Sequence, residues 1–95
     1  MKKNKIKKLP LVSVILNCHN GKKYINESIR SVLNQSYENW ELIIFDNNSN
    51  DNTKSEISKF RDKRIRYFRT NKLYNLYHAR NLAIKKSKGK LISFI

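Results

Sequence analysis

The sequence predicts an α/β fold in which a mainly parallel sheet is flanked by helices. Short apolar runs rich in β-branched residues, which are typical of buried strands, recur along the chain. Between them lie segments whose apolar residues repeat at helical spacing. Because strands alternate with helices, we expect a parallel sheet with right-handed crossover connections.

The composition fits one small domain or part of one. With 95 residues and 39% hydrophobic content, the chain can bury a single core. Its one cysteine excludes an internal disulfide and fits a reducing compartment. Its two glycines, Gly21 and Gly89, exclude the G-x-G-x-x-G dinucleotide-binding motif and the P-loop. No apolar run approaches the roughly 20 residues that a membrane-spanning helix needs.

The chain is strongly basic, with 21 Lys and Arg against 7 Asp and Glu and a net charge of +14. Part of this charge lies in residues 1–8, which we expect to form a disordered basic arm ahead of a domain over residues 9–95. Such charge attracts nucleic acid, anionic lipid or phosphorylated substrates. A solvated basic surface is the alternative. No nucleic-acid-binding motif is present, so we expect no specific nucleic-acid partner.

The first half of the chain predicts a strand, a helix and a second strand. Leu11–Leu16 is the first buried strand, and a polar loop, Asn17–Gly21, follows it. A helix over Lys22–Gln35 comes next, with one apolar stripe formed by Ile25, Ile29, Val32 and Leu33. Leu42–Phe45 is the second buried strand.

A run of seven short polar residues, Asp46–Asn52, follows the second strand and predicts a loop. Thr53–Glu56 has capping-box spacing, which predicts a helix that starts there and runs to about Phe60. We expect Asp51 to act as a helix cap.

In the second half, Ile65–Phe68 alternates in polarity and predicts an edge strand. A third helix over Leu76–Ser87 would turn Ala79, Leu82 and Ala83 toward the sheet. Gly89 is the expected C′ residue of this helix. Leu91–Ile95 is the fourth strand.

The residues alone predict a polar-ligand site at the carboxyl edge of the sheet. The loops Asn17–Gly21 and Asp46–Asn52 both follow buried strands, so both lie at that edge. If the fourth strand pairs with the far side of the first, a crevice opens beside them. Their amides and carboxylates suit the edge of a base or sugar hydroxyls. Cys18 and His19 are adjacent in sequence and point in different directions, so they are a poor nucleophile pair, and a zinc site lacks ligands.

Three segments stand in order along the chain: VSVILNCHNGKKYINESIRSVLNQSYENWELIIFDNNSNDNT, then Arg80-Asn81, then GKLISFI. Together they resemble the start of the family 2 nucleotide-sugar glycosyltransferases of the Rossmann-like GT-A fold. Members of this family typically begin V-S-V-I-I-P-x-Y-N and continue with S-V-L-x-Q-[ST], E-[IL]-I-[IV]-[VI]-D-[DN]-x-S-x-D-x-T, A-R-N and G-x-[YL]-[IL]-x-F-[LI]. The resemblance covers about residues 11–95.

The resemblance implies roles for five residues in nucleotide binding. Asn17 and His19 would line the base and ribose, and Asp46 and Asn47 would meet the base. Arg80 would lie near the nucleotide phosphates or the sugar, with a helix-surface ion pair as the alternative. Two departures bear on base choice: Asn17-Cys18-His19 replaces a Pro-Thr-Tyr-like segment, and Asn47 replaces an acid. An amide can pair with the edge of uracil or thymine.

The resemblance also implies an inverting enzyme that moves a sugar from a UDP- or dTDP-type donor to the hydroxyl of a saccharide or lipid-linked acceptor. The family uses Mg²⁺ or Mn²⁺ bound by a D-x-D motif, and a later general base. Both are expected beyond Ile95, so we expect a truncated domain with no catalytic or metal residue of its own. A cytoplasmic location follows, and contact with the inner membrane face through the Lys2–Lys8 arm stays open. The alternatives are a non-catalytic basic binding module or an inactive gene remnant.

Overall fold

The computed structural model describes residues 9–95, and the expected basic arm, residues 1–8, lies outside the described residues. Strands and helices alternate as the sequence predicts. The strands are β1 (Val12–Cys18), β2 (Trp40–Asp46), β3 (Ile65–Arg69) and β4 (Leu91–Phe94). The helices are α1 (Ile25–Asn34), α2 (Thr53–Ile57) and α3 (Leu76–Lys86). None of these helices is long and apolar enough to cross a membrane.

The four strands form one parallel sheet in the order β3-β2-β1-β4. The register runs from Val12 beside Trp40 to Cys18 beside Asp46. β3 occupies an edge, which confirms the prediction, and β4 pairs with the far side of β1, which meets the condition stated for a crevice. The strand order therefore reverses at β1, and a crevice is expected at the carboxyl end of that strand.

The helices cover opposite faces of the sheet. On one face the predicted stripe of α1 packs with α2 against alternate residues of β1 and β2. On the other face Ala79 and Ala83 of α3 pack against Ile15, Ile43 and Phe45, and Leu82 is partly buried beside them. Every residue of β2 is buried, as expected for a strand covered on both faces.

Several element ends differ from the predicted ones. β1 continues to Cys18 because it pairs with β2 as far as Asp46, so Asn17 and Cys18 belong to the strand and not to the loop. α1 begins at Ile25, because residues 22–24 form a turn in which Gly21 O accepts the N–H of Tyr24 and of Ile25. α2 ends at Ile57, although Phe60 packs on the core as expected.

The predicted role of Gly89 is wrong. Ser87 is the C-cap of α3, and no glycine has a positive φ, so Gly89 is not a left-handed C′ residue. The residue instead allows a close backbone approach. A Cβ atom at this position would lie 2.6 Å from Ser13 Oγ and 2.7 Å from Leu11 O, both on or beside β1. Glycine at this position therefore lets the chain reach β1 just before it enters β4.

A buried carboxylate, Glu41 of β2, joins β1, β3 and the segment before β4 at the amino end of the sheet. Its Oε2 accepts hydrogen bonds from Ser13 Oγ and from the N–H of Lys88, both at 2.6 Å. Its Oε1 accepts from Arg66 Nη1 at 2.7 Å. Ser13 Oγ accepts in turn from the N–H of Gly89 at 2.8 Å. Burial opposes ionisation of Glu41, but these hydrogen bonds together lower its pKa below the usual value.

We expect Glu41→Gln to reduce the free energy of unfolding by about 2 kcal/mol at neutral pH, because hydrogen bonds to a charged group are lost and Arg66 keeps no counter-charge. Urea unfolding measures the effect, and Glu38→Gln on the exposed chain before β2 is the matched control. A carboxylate with a lowered pKa stabilises above its unfolded pKa, and this contribution is lost in acid. The difference should therefore shrink toward about pH 3. A difference independent of pH would contradict the role of the charge.

Candidate functional site

The two polar loops that follow β1 and β2 lie against each other at the carboxyl edge of the sheet. The N–H of Asn47 donates to Cys18 O at 2.7 Å. The N–H of Asn20 donates to Ser49 Oγ at 2.8 Å, and Asn20 Oδ1 accepts the N–H of Asn50 at 2.8 Å. Asn20 has a φ of 52°, which asparagine tolerates better than most residues. The asparagine-rich composition therefore serves the loop geometry.

Asp51 and Thr53 fasten the start of α2 to the first loop. The N–H of Thr53 donates to Asp51 Oδ1 at 2.9 Å, but the N-cap residue of α2 is Asn52, so Asp51 precedes the cap and does not occupy it as predicted. The predicted capping box is wrong, because Thr53 Oγ1 accepts the N–H of Gly21 at 2.9 Å instead of an N–H of its own helix. Glu56 is likewise turned away, and its side chain accepts from Asn26 at 2.8 Å.

Asp46 is fully buried and both of its carboxylate oxygens have protein donors. Oδ1 accepts the N–H of Ser49 at 2.9 Å, and Oδ2 accepts the hydroxyl of Tyr67 at 2.5 Å. Arg69 Nη1 lies 3.7 Å from Oδ2. Burial, and then the hydrogen bond to Asp46, raise the pKa of Tyr67 above its usual value, so the phenol stays a donor. Asp46 thus ties the end of β2 to β3.

Asn47 holds a third loop, residues 70–75, in place. Its side-chain amide donates to Tyr74 O at 2.7 Å and accepts the N–H of Tyr74 at 2.9 Å. Its backbone oxygen lies 2.7 Å from His19 Nδ1. A carbonyl only accepts, so this partner assigns the proton to Nδ1, and Nε2 lies 3.3 Å from Asn20 Nδ2. The orientation of the His19 ring is therefore fixed by the loop after β2.

These loops enclose a cavity of about 320 Å³ beside the ends of β1 and β2. It is lined by Asn17, Cys18, His19, Tyr24, Asn47, Leu73 and Leu76. The imidazole of His19 and the phenol of Tyr24 supply planar rings, and Leu73 and Leu76 supply apolar surface. A cavity of this size with aromatic walls and few polar groups fits a small planar ligand.

Asn17 is the one cavity residue with an unsatisfied buried polar atom. Its Oδ1 is buried and has no hydrogen-bond partner within residues 9–95. An acceptor left in this state costs about 1–3 kcal/mol. A ligand that brings an N–H or O–H donor into the cavity would remove that cost.

Three of the five predicted site residues, Asn17, His19 and Asn47, line the cavity; Asp46 lies behind it at the end of β2, and the fifth, Arg80, is outside the cavity lining. Its guanidinium lies 5.1 Å from the centre of the Phe94 ring, near the end of β4. The alternative ion pair is absent, because no carboxylate in residues 9–95 pairs with Arg80.

The sequence analysis did not identify three residues that line the cavity, Tyr24, Leu73 and Leu76. The available signal for Tyr24 was an aromatic residue just outside the apolar stripe of α1 and after the Asn20-Gly21 turn.

The cavity offers binding surface and no nucleophile. Burial, followed by the charges of Asp46 and Asp51, raises the pKa of the Cys18 thiol to about 12. Within the described residues, no group of three His, Cys, Asp or Glu side chains could hold a metal ion. Asp46 is already satisfied by Ser49 and Tyr67. Residues 9–95 therefore do not fit a divalent cation.

Comparison with known proteins assigns the chain to a family. Residues 13–95 match the family described as Glycosyl transferase family 2. The chain is 40% identical over 85 residues, 90% of its length, to the Escherichia coli UDP-Glc:alpha-D-GlcNAc-diphosphoundecaprenol beta-1,3-glucosyltransferase WfgD, of which it covers 34%. It is 35% identical over 88 residues to the putative teichuronic acid biosynthesis glycosyltransferase TuaG of Bacillus subtilis, covering 90% of this chain and 35% of TuaG.

Solved structures share the fold. TarS from S. aureus, solved in complex with UDP, matches with a TM-score of 0.82 and 27% identity over 88% of this chain and 26% of TarS. The chain spans about a third of the length of its curated relatives. The expected α/β fold with a parallel sheet is confirmed, and so is the resemblance drawn from the motifs. The chain belongs to glycosyltransferase family 2 and has the Rossmann-like GT-A architecture of that family.

Proposed function

We propose that residues 9–95 bind the nucleotide of a UDP- or dTDP-type sugar donor. The observation that carries the proposal is the cavity at the ends of β1 and β2, with Asn17, His19 and Tyr24 in its wall. Its position at the carboxyl edge of a parallel sheet is where nucleotides bind in open α/β folds. The UDP complex of TarS and the UDP-Glc donor in the name of WfgD support the choice of a pyrimidine donor.

The side-chain amide of Asn17 is proposed to recognise the base by hydrogen bonding. Uracil and thymine each present one ring N–H between two carbonyl oxygens. The Oδ1 of Asn17, which is buried and unpaired without a ligand, would accept that N–H after the side chain turns toward the cavity, and the amide N–H group of the same side chain would donate to a neighbouring carbonyl. The rings of His19 and Tyr24 would lie against the base, and a ribose hydroxyl would donate to His19 Nε2 in place of Asn20 Nδ2, which lies 3.3 Å away in the ligand-free chain.

Asp46 and Asn47 support the proposal through the loops they hold. Asn47 fixes both His19 and Tyr74, and Asp46 fixes the loop that carries Asn47. Direct contact of these two side chains with the base stays a prediction. Each oxygen of Asp46 has one lone pair left for such a contact, beyond the hydrogen bond that it already accepts. Arg80, held over Phe94 beside the end of β4, is proposed to meet the phosphates or the sugar.

The whole enzyme is proposed to act by direct displacement. The oxygen of the acceptor hydroxyl would form a bond to the anomeric carbon as the bond to the nucleoside diphosphate breaks, so the configuration inverts. The hydroxyl proton would pass to a general base. Mg²⁺ or Mn²⁺ is part of the proposal for the whole enzyme. Neither the base nor the cation ligands would come from residues 9–95, where no three candidate ligands lie together and the buried carboxylates of Glu41 and Asp46 are held by structural hydrogen bonds.

The acceptor is proposed to be a saccharide or a lipid-linked saccharide. The name of WfgD gives its acceptor as a diphosphoundecaprenol-linked sugar. By analogy, transfer by the whole enzyme would take place in the cytoplasm at the inner membrane face.

We expect the chain to bind UDP and dTDP more tightly than GDP in isothermal titration calorimetry, because guanine presents a different edge to Asn17. Asn17→Ala and His19→Ala should each raise the Kd for UDP roughly tenfold, about 1.4 kcal/mol. Asn39→Ala is the matched control, since Asn39 lies at the opposite edge of the sheet and bonds Leu9 O. Equal affinity for all three nucleotides would contradict the base preference. Unchanged affinity in both cavity variants would exclude this cavity as the site.

We also expect the thiol of Cys18 to react slowly with alkylating reagents in the folded chain. With its pKa raised to about 12 by burial, the thiolate is scarce near neutral pH. Alkylation by iodoacetamide at about pH 8, followed by mass spectrometry, should be on the order of a thousandfold slower than for the urea-unfolded chain. Rapid alkylation of the folded chain would instead point to a reactive thiol.

A further inference from the structure

α3 leaves part of its face of the sheet uncovered. It packs through Ala79 and Ala83 onto residues of β1 and β2. β3 lies at the edge of the sheet beyond this contact, and its residue Phe68 is only partly buried. A groove of about 320 Å³ therefore lies between α3 and β3. It is lined by Phe45, Phe68, Arg69, Leu82, Lys85 and Lys86.

The floor of this groove is apolar and partly aromatic. Phe45 of β2 and Phe68 of β3 are neighbours in the register of the sheet. Phe45 is buried, so Phe68 and Leu82, which are partly buried, supply the accessible apolar surface. No carboxylate, hydroxyl or amide side chain lines the groove. Such a floor accepts a flat apolar ring, and it has no neutral polar side chain that could recognise the edge of a nucleobase.

Three cations surround the floor, and the protein neutralises them little. Lys85 and Lys86 have no carboxylate partner within residues 9–95. Arg69 has one, Asp46, whose Oδ2 lies 3.7 Å from Arg69 Nη1. All three cationic residues are exposed, and Lys86 Nζ lies 5.0 Å from the centre of the Phe68 ring. Cations that line one groove repel one another, so an anion between them is attracted.

We propose that this groove, called the α3–β3 groove, is a second binding site that takes a small aryl phosphate. The aromatic ring would pack on Phe68 and Leu82. The phosphate would meet Arg69, Lys85 and Lys86. A bare phosphate would leave the apolar floor in water, and an uncharged ring would leave the cations unpaired, so the groove needs both parts of the ligand. It shares no lining residue with the nucleotide cavity, and this binding does not rest on the proposed function.

Arg69 connects the α3–β3 groove with the loop after β2. Besides its contact with Asp46, its Nη2 lies 3.3 Å from Asn48 Oδ1. A phosphate in the groove would draw the guanidinium away from both partners. The same loop carries Asn47, whose backbone oxygen holds the ring of His19 in the nucleotide cavity. An occupied groove would therefore weaken nucleotide binding, and this consequence rests on the proposed function.

The test is titration of the isotope-labelled chain with naphthyl phosphate, followed through amide chemical shifts in two-dimensional NMR. We expect the shifts to cluster at the residues of the groove. Inorganic phosphate, which lacks the ring, and naphthol, which lacks the charge, should each bind at least roughly tenfold more weakly. These two comparisons use the unsubstituted chain, so they test the proposal even where a variant fails to fold.

The double variant Lys85→Gln with Lys86→Gln should raise the Kd for naphthyl phosphate roughly tenfold. The matched control, Lys54→Gln with Lys59→Gln, removes the same charge in and just after α2 on the opposite face and should change the Kd less than about threefold. An unchanged Kd in the first variant, or an equal loss in both, would overturn the proposal. Equal affinity for naphthol would overturn it too, because the cations would then have no role.

The nucleotide-cavity variant Asn17→Ala should leave the shifts at the groove unchanged. Shifts that cluster at the nucleotide cavity and vanish in Asn17→Ala would overturn the proposal, because the probe would then occupy the cavity. Thermal unfolding by circular dichroism checks that each variant is folded.

UDP titration in the presence of the probe tests the coupling. With the groove saturated by naphthyl phosphate, the Kd for UDP should rise roughly fivefold in the unsubstituted chain and stay unchanged in Lys85→Gln with Lys86→Gln. An unchanged Kd in the unsubstituted chain would overturn the coupling, and so would an equal rise in both, which would indicate direct competition in the nucleotide cavity. A failure of UDP to bind either chain, with the shifts at the groove intact, would contradict the proposed function and leave the groove established.

Discussion

The rest of the structure depends on two buried carboxylates of β2, which need hydrogen-bond donors from the neighbouring strands and loops. Glu41 lies at the start of the central strand and Asp46 at its end, and both are inside the protein. A charge in such a place requires compensating donors. Ser13, Arg66 and the N–H of Lys88 supply them at the amino edge, and Ser49 and Tyr67 supply them at the carboxyl edge. These donors come from β1, from β3, from the loop after β2 and from the segment before β4. The hydrogen bonds that compensate the two carboxylates therefore also hold the strands in their observed order.

The same requirement builds the cavity at the carboxyl edge. Asp46 holds the loop after β2, and Asn47 then engages Tyr74 and His19. The wall of the cavity is thus positioned by side chains that are themselves largely satisfied, whereas Asn17 keeps a free acceptor. Rigid support behind an unsatisfied group lowers the entropy that a ligand must overcome on binding.

The sequence predicted the order of elements, the two helix faces and the edge position of β3, because apolar periodicity reports burial directly. It also predicted that the two polar loops meet. It misplaced element ends by one to three residues, since strand pairing decides where β1 stops and a turn at Gly21 decides where α1 starts. The roles predicted for Thr53 and Gly89 were also wrong because of contacts that are not local in sequence. Each makes its decisive contact with a residue distant in sequence, Gly21 and Ser13 respectively, and no local pattern encodes such contacts. Leu73 and Leu76 carry no motif, and only the fold places them at the cavity.

Positive charge is distributed unevenly along the chain, and the two faces of the sheet differ in how their cations are neutralised. On the face of α1 and α2, carboxylates and cations occur together, as in the pair of Glu56 and Lys59. On the face of α3, Glu41 is held inside the sheet by Ser13, Arg66 and the N–H of Lys88, and the cations of the helix have no carboxylate partner within residues 9–95. The buried acid that joins the strands on this face therefore neutralises none of the cations on α3. The segment from residue 63 to residue 95, with ten cations and no acidic residue, therefore carries an uneven share of the positive charge of the described chain.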